Sequence, residues 1–192
     1  MNIVSAKDLR NTEILRKISG DKPGWYRWWA STETLKCLLD SPHITKKHMK
    51  QLLPHLSRCT YEQDDYFCIY VGVAIKESIR DRLNWHVNQR HTKSAVQSGF
   101  LSTFRKSVSS LLAGNQYDEN ATNNLIDNMM IEYCEIDHPI KSESAKDLIQ
   151  QIENNEMKEH IMPLNIMGNR HTIVQSFISD LKRVRKLSTQ SK

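Results

Sequence analysis

The stretch YFCIYVGVA, residues 66 to 74, constrains this chain more than any other. It is about one strand long, aromatic, β-branched or small throughout and free of charge, so it predicts a central strand buried on both faces. The polar stretch IKESIRDRLNWHVNQ follows with no linker, and its spacing predicts a helix bearing Arg80, Arg82 and His86. A buried strand that runs straight into a basic helix implies a sheet with helices packed on it, and cations gathered at the strand's end.

The other elements follow from periodicity and punctuation. GWYRWWA, residues 24 to 30, predicts a bulky strand after the turn signal Asp21-Lys22-Pro23-Gly24. Residues 31 to 57 predict helix: Ser31 or Thr32 can cap ETLKCLLD, and Ile44, Met49, Leu52 and Leu53 fit a second short helix ending near Pro54. Phe100, Leu101, Phe104, Val108, Leu111 and Leu112 recur at helical spacing over 99 to 113. A turn or two of helix carries Leu125, Ile126 and Met129, MIEYCEI over 130 to 136 alternates as a strand, and Ser142 can cap the helix SESAKDLIQQIENNEM. Pro163, Asn165, Gly168 and Asn169 mark a loop, and a last helix covers 172 to 187. No internal repeat interrupts this order. The expectation is a single α/β (α+β) domain over 1–192: a small mixed central sheet of about three strands flanked by helices, with a helical insert at about 31–60.

Charge narrows the partners. A formal net charge of +5 and a pI near 9.0 suit a polyanion without requiring one. Cys37, Cys59, Cys68 and Cys134 form no CxxC pair and no zinc-knuckle spacing, so reduced thiols are expected. The start MNIVSAKDLR lacks the apolar core of a signal peptide, and no apolar run reaches the roughly 20 residues of a membrane span, so a cytoplasmic protein is expected.

Three separated pieces then point one way. Gly24-Trp25-Tyr26 resembles the GIY element and Tyr70-Val71-Gly72 the YIG element of the GIY-YIG nucleases, each at a predicted strand. Arg82, twelve residues after Tyr70, precedes Leu83, with His86 one turn later, as in that family's arginine helix. IENNEMKEHIMPLN is similar to the glutamate helix and asparagine loop of the excision-repair branch, with Glu153 twelve residues before Asn165. A GxY or YxG triplet alone is weak; the order of the pieces carries the resemblance. Trp25 replaces the isoleucine of GIY, Val73 stands where relatives often carry a polar residue, and the long intervals resemble restriction-type branches.

The resemblance implies a metal-dependent DNA endonuclease, with DNA as partner, no membrane, and homodimerisation open because two strands must be cut. Arg82 would hold the scissile phosphate through parallel hydrogen bonds. Glu153 would be the protein ligand of Mg²⁺ (or Mn²⁺). Tyr26 would take or relay the water's proton while Tyr70 orients water or phosphate, with metal-activated hydroxide as the alternative attacker. His86 would hydrogen-bond a tyrosine or protonate the leaving oxygen. Gly24, Gly72 and Asn165 would support these groups. Arg90 and Lys93 in the basic stretch 88 to 94, Arg105 and Lys106 on the next helix, and the C-terminal LKRVRK are candidates for DNA phosphates. The bland readings stand beside these: tyrosines as strand aromatics, Arg80 as a solvated charge, His86 as a buried structural histidine and Glu153 as helix surface. A DNA-binding module without catalysis is the alternative function.

Overall fold

The computed structural model describes residues 1–190. Five strands, β1 (Asn2–Ser5), β2 (Gly24–Ser31), β3 (Arg58–Tyr61), β4 (Asp64–Ala74) and β5 (Met129–Glu135), form one sheet in the order β1-β5-β2-β4-β3. Every pairing is antiparallel, so the expectation of about three strands in a mixed sheet is corrected on both counts. The two strands missed are the short edge strands β1 and β3, whose residues are exposed or half-buried and carry little apolar pattern. Their hairpin signal was also hidden. The β3–β4 turn passes through Glu62 and Gln63 with φ of 48° and 76°, a left-handed pair that Asn-Gly usually supplies.

Nine helices surround the sheet among the described residues: α1 (Thr12–Leu15), α2 (Thr32–Leu39), α3 (Met49–Leu52), α4 (Ile79–Asn88), α5 (Lys93–Gln97), α6 (Thr103–Ala113), α7 (Glu119–Ile126), α8 (Glu143–Glu159) and α9 (Gln175–Ser188). Side-chain caps fix where several begin. Ser31 accepts from the Thr34 amide at the start of α2, and Ser142 caps α8. Ser78 accepts from Asp81, which sets the start of α4 at Ile79 and leaves 75 to 78 as a link rather than helix. Likewise the expected helical insert at 31–60 holds two short helices and a 3₁₀ turn and ends in β3.

The main core lies between one sheet face and the helices, gathering Trp28, Leu83, Phe104, Leu111, Ile131 and Phe177. Phe104 stacks on Trp28 with ring centroids 4.1 Å apart. On the other face a smaller cluster contains Trp29, Cys68, Val71, Met130 and Met162. There Arg27 pairs with Glu132 at 3.2 Å and with Glu156 of α8, which ties that helix to the sheet.

Two details of β4 position the site. The register slips between Trp28 opposite Tyr70 and Trp29 opposite Cys68, leaving Ile69 as the extra residue of a bulge. A bulge re-aims the side chains beyond it, and here Tyr70 joins the face that carries Tyr26 and Gly72. Beyond β3, the free edge of β4 is closed by a loop instead of a strand. Leu164 donates to the Ile69 carbonyl at 2.9 Å, and the Asn165 side chain accepts from the Val71 amide at 2.9 Å while donating to its carbonyl at 2.8 Å. Those backbone groups would otherwise be buried without partners.

Candidate active site

Tyr26 on β2 lies directly across from Gly72 on β4. A Cβ at position 72 would sit 2.3 Å from the Tyr26 hydroxyl and 2.4 Å from its Cζ, so the phenol occupies the space a side chain would take. Gly72 has no left-handed backbone; its requirement is steric. Gly24 is needed for the same kind of reason, because a Cβ there would meet the Cys134 carbonyl oxygen at 2.2 Å. Gly72 makes room for the Tyr26 ring, and Gly24 for the close approach of β5.

The Tyr26 hydroxyl is 2.5 Å from Nε2 of His86, which α4 brings over the sheet. The Tyr26 and Tyr70 rings lie 6.4 Å apart, and His86 meets Trp28 and Phe104 edge-on, at 6.1 Å and 5.9 Å. One turn earlier on α4, Arg82 sits over the Trp85 ring at 5.0 Å and pairs through Nη2 with Glu77 at 2.5 Å. Its Nε is buried with no partner, as is His86 Nδ1.

Glu153 comes from α8, a helix held by the Arg27–Glu156 pair one turn further on. It is half-buried, and among the described residues it forms no ion pair. Tyr26, Tyr70, Arg82, His86 and Glu153 all line one cleft of ≈ 410 Å³, together with Gly72, Val73, Trp85, Phe100 and Lys106. Two phenols, an imidazole, a guanidinium and a carboxylate from β2, β4, α4 and α8 thus share one opening.

Burial sets the protonation states. Desolvation, with Tyr70 adding to it, holds the Tyr26 phenol well above its ordinary value, and Arg82 offsets only part of this. Desolvation and Glu153 push Tyr70 up to about 12. His86 is pushed down to about 3 by desolvation and then by the Arg82 and Arg105 charges. At neutral pH the buried pair is therefore a neutral phenol against a neutral imidazole. Burial also raises the Glu153 carboxyl, the mark of a carboxylate that lacks a cation beside it.

No group of three or more histidine, cysteine or acidic side chains gathers as a metal cage among the described residues. The donor set that does exist is a single half-buried carboxylate that forms no ion pair and lines the same cleft as the guanidinium and phenols. That fits a hard divalent ion whose other ligands are waters and substrate oxygens.

The family model for the GIY-YIG catalytic domain matches residues 24–187, beginning at the glycine that packs on Cys134 and running into α9. The chain belongs to the GIY-YIG nuclease family. No curated protein and no solved structure matches it. In this GIY-YIG chain, Tyr26, Tyr70, Gly72, Arg82, His86 and Glu153 are brought together in one cleft, Gly24 packs outside it against Cys134, and Asn165 clamps Val71.

The expected DNA contacts divide. Arg90 is exposed and pairs with Glu119 at 3.4 Å, and Lys93 is exposed at the first turn of α5. Lys106 lines the cleft and donates to the Gly99 carbonyl. Arg105 is a correction: it is fully buried. Its guanidinium donates to His91 Nε2 at 2.8 Å, to the carbonyls of His86 and Val87 at 2.9 and 3.1 Å, and to Asn123 at 2.6 Å. It fixes the end of α4 from within and has no route to a DNA phosphate.

Two residues at the cleft escape a reading of the sequence. Trp85, under Arg82, gave a signal in its spacing three residues further along the same helix. Phe100 counts toward the apolar face of a helix over 99 to 113, but α6 begins at Thr103, and Phe100 projects 70% exposed at the cleft's rim. Arg185 belongs to the basic run LKRVRK that the sequence offers for DNA phosphates, and the structure places it half-buried on α9, near Tyr70.

Proposed function

We propose that this chain is a divalent-metal-dependent DNA endonuclease that hydrolyses phosphodiester bonds in the Tyr26/Tyr70/Arg82/Glu153 cleft. The observation that carries this reading is the convergence of these groups from four elements, with Arg82 Nε and the Glu153 carboxylate left without protein partners.

Arg82 binds the scissile phosphate. It is permanently charged, anchored by Glu77 on one amine and by Trp85 on its face, and its partly exposed guanidinium side chain lines the cleft that an anionic oxygen would enter. Glu153 would hold Mg²⁺ (or Mn²⁺), which when bound supplies charge to the phosphate oxygens and acidifies water.

Tyr26 relays a proton. A phenol held this far above neutrality is a poor free base, but its hydroxyl already touches His86 Nε2. Taking a proton from the attacking water while passing its own to Nε2 avoids a free phenolate. Arg82 is the largest charge that depresses His86, and pairing it with phosphate offsets that field, so His86 becomes a better acceptor when substrate is bound. Tyr70 stays protonated at neutral pH and donates a hydrogen bond that orients phosphate or water. Arg90, Lys93 and Lys106 add contacts to the DNA backbone, which bring affinity and salt dependence.

The test is nicking of supercoiled plasmid with Mg²⁺ or Mn²⁺, with and without chelator. Wild-type protein cuts only with metal, and Glu153→Ala and Arg82→Ala each abolish cutting with the melting temperature retained. Full activity in either folded variant, or no cutting by the wild type in any divalent metal, overturns the reading.

A further inference from the structure

A second cleft of ≈ 310 Å³ adjoins the first, and Gly99 and Lys106 line both. Its remaining walls are Val96, Gln97, Gln116, Arg185, Lys186 and Thr189. It therefore holds three cationic side chains and no acidic one. Among the described residues none of the three forms an ion pair.

Such an arrangement costs stability. Burial lowers Arg185 from its usual range, and Lys106 is lowered by burial and then by Arg185. Like charges brought together and partly desolvated repel, and a fold normally offsets this with a carboxylate. Here none is supplied. The backbone that carries them is nevertheless fixed: the Arg185 carbonyl accepts from Gln116 Nε2 at 3.0 Å, and Ser188 bonds Ser110 at 2.7 Å, locking α9 against α6. Arg185 also lies close enough to Tyr70 for each to act on the other's charge, so the guanidinium stands between the two clefts.

We propose that the cleft formed by Lys106, Arg185 and Lys186 is a second phosphate seat, which takes a phosphate neighbouring the scissile one on the same nucleic-acid strand. This rests on the nuclease reading of the first cleft. A strand whose scissile phosphate lies on Arg82 continues over Gly99 and Lys106 into this seat, where its negative charge supplies what the fold omits. Lys106, which lines both clefts, sets the direction in which the strand leaves.

The test is fluorescence anisotropy of a labelled single-stranded oligonucleotide, titrated with the protein in chelator at several salt concentrations. Arg185→Gln and Lys106→Gln are each expected to weaken binding several-fold at low salt and to flatten the slope of log K against log salt by about 0.7 per phosphate contact removed. Lys36→Gln, an exposed charge on α2 that lines neither cleft, serves as the control and moves neither. Arg185→Lys restores most of the slope, which separates lost charge from lost packing. If Arg185→Gln and Lys106→Gln match Lys36→Gln, the seat is refuted. Flattened slopes in a protein that cuts nothing in any metal would sink the nuclease reading while leaving an anion seat standing.

Discussion

Gly72→Ala tests the packing on which the cleft depends. The added Cβ would lie 2.3 Å from the Tyr26 hydroxyl and 2.4 Å from Cζ, where ordinary contact begins near 3.4 Å, so the ring must withdraw by roughly 1 Å. In a strand of ordinary backbone, replacing glycine with alanine is otherwise favourable by about 0.5–1 kcal/mol. Overpacking costs about 1–3 kcal/mol, so the net change is destabilising by about 1 kcal/mol. For a chain of this size that lowers the melting temperature by roughly 2–4 °C. A 1 Å shift also breaks the 2.5 Å contact with His86, and a misplacement of that size costs on the order of 10²-fold in rate. Thermal melting and plasmid nicking read the two effects. In a Tyr26→Ala background the same Gly72→Ala change should reverse sign and stabilise, since the vacated ring leaves room for the methyl group. A Gly72→Ala single variant that melts at or above the wild type and cuts at full rate would refute the steric argument.

Other outcomes follow from buried groups. Arg105→Ala strands the acceptors on His86, Val87, His91 and Asn123, so it should destabilise by about 3 kcal/mol or more. If the variant stays folded, its salt slope for DNA should equal the wild type's; a flattened slope would show that Arg105 reaches phosphate after all. His86 and His91 are held down to about 3 and about 4 by burial and nearby arginines, below the ordinary histidine value of 6.5. The unfolded chain then binds more protons between those values, so stability is complete above pH 6.5 and falls as pH drops, by about 2 kcal/mol per histidine at pH 5. Melting temperatures at pH 7.5 and pH 5 measure this, and equal values would contradict it. Asn165→Leu leaves both polar groups of Val71 unpaired, an expected loss of about 2–5 kcal/mol. Hydrogen exchange at Val71 and Gly72 should quicken, and unchanged protection there would argue against the clamp.

Much of the fold was legible because one-dimensional signals matched the local physics. The apolar run at 66 to 74 had to be buried on both faces, and Ser31 and Ser142 capped the helices they preceded. What escaped were elements whose stability is borrowed from neighbours. β1 and β3 pair along sheet edges with little apolar pattern of their own, and the turn from β3 into β4 uses residues unusual for its left-handed geometry.

Charges divided in the same way. Arg27, Arg105 and Glu156 read as surface residues by type, yet two form the pair that sets α8 in place and the third fills the interior. A residue type states what burial costs; it does not state who repays it.

The sequence by itself determined the two central strands, the glycines and tyrosines they carry, the arginine one helix later and the family those residues mark. These follow from backbone sterics and periodicity, which act over a few neighbours. Only tertiary structure decided that Glu153 and Arg82 line one cleft, that Asn165 closes the edge of β4 and that Lys106 and Arg185 stand together without a counter-charge. Those are contacts between elements far apart along the chain, and no local pattern records the partner across the gap.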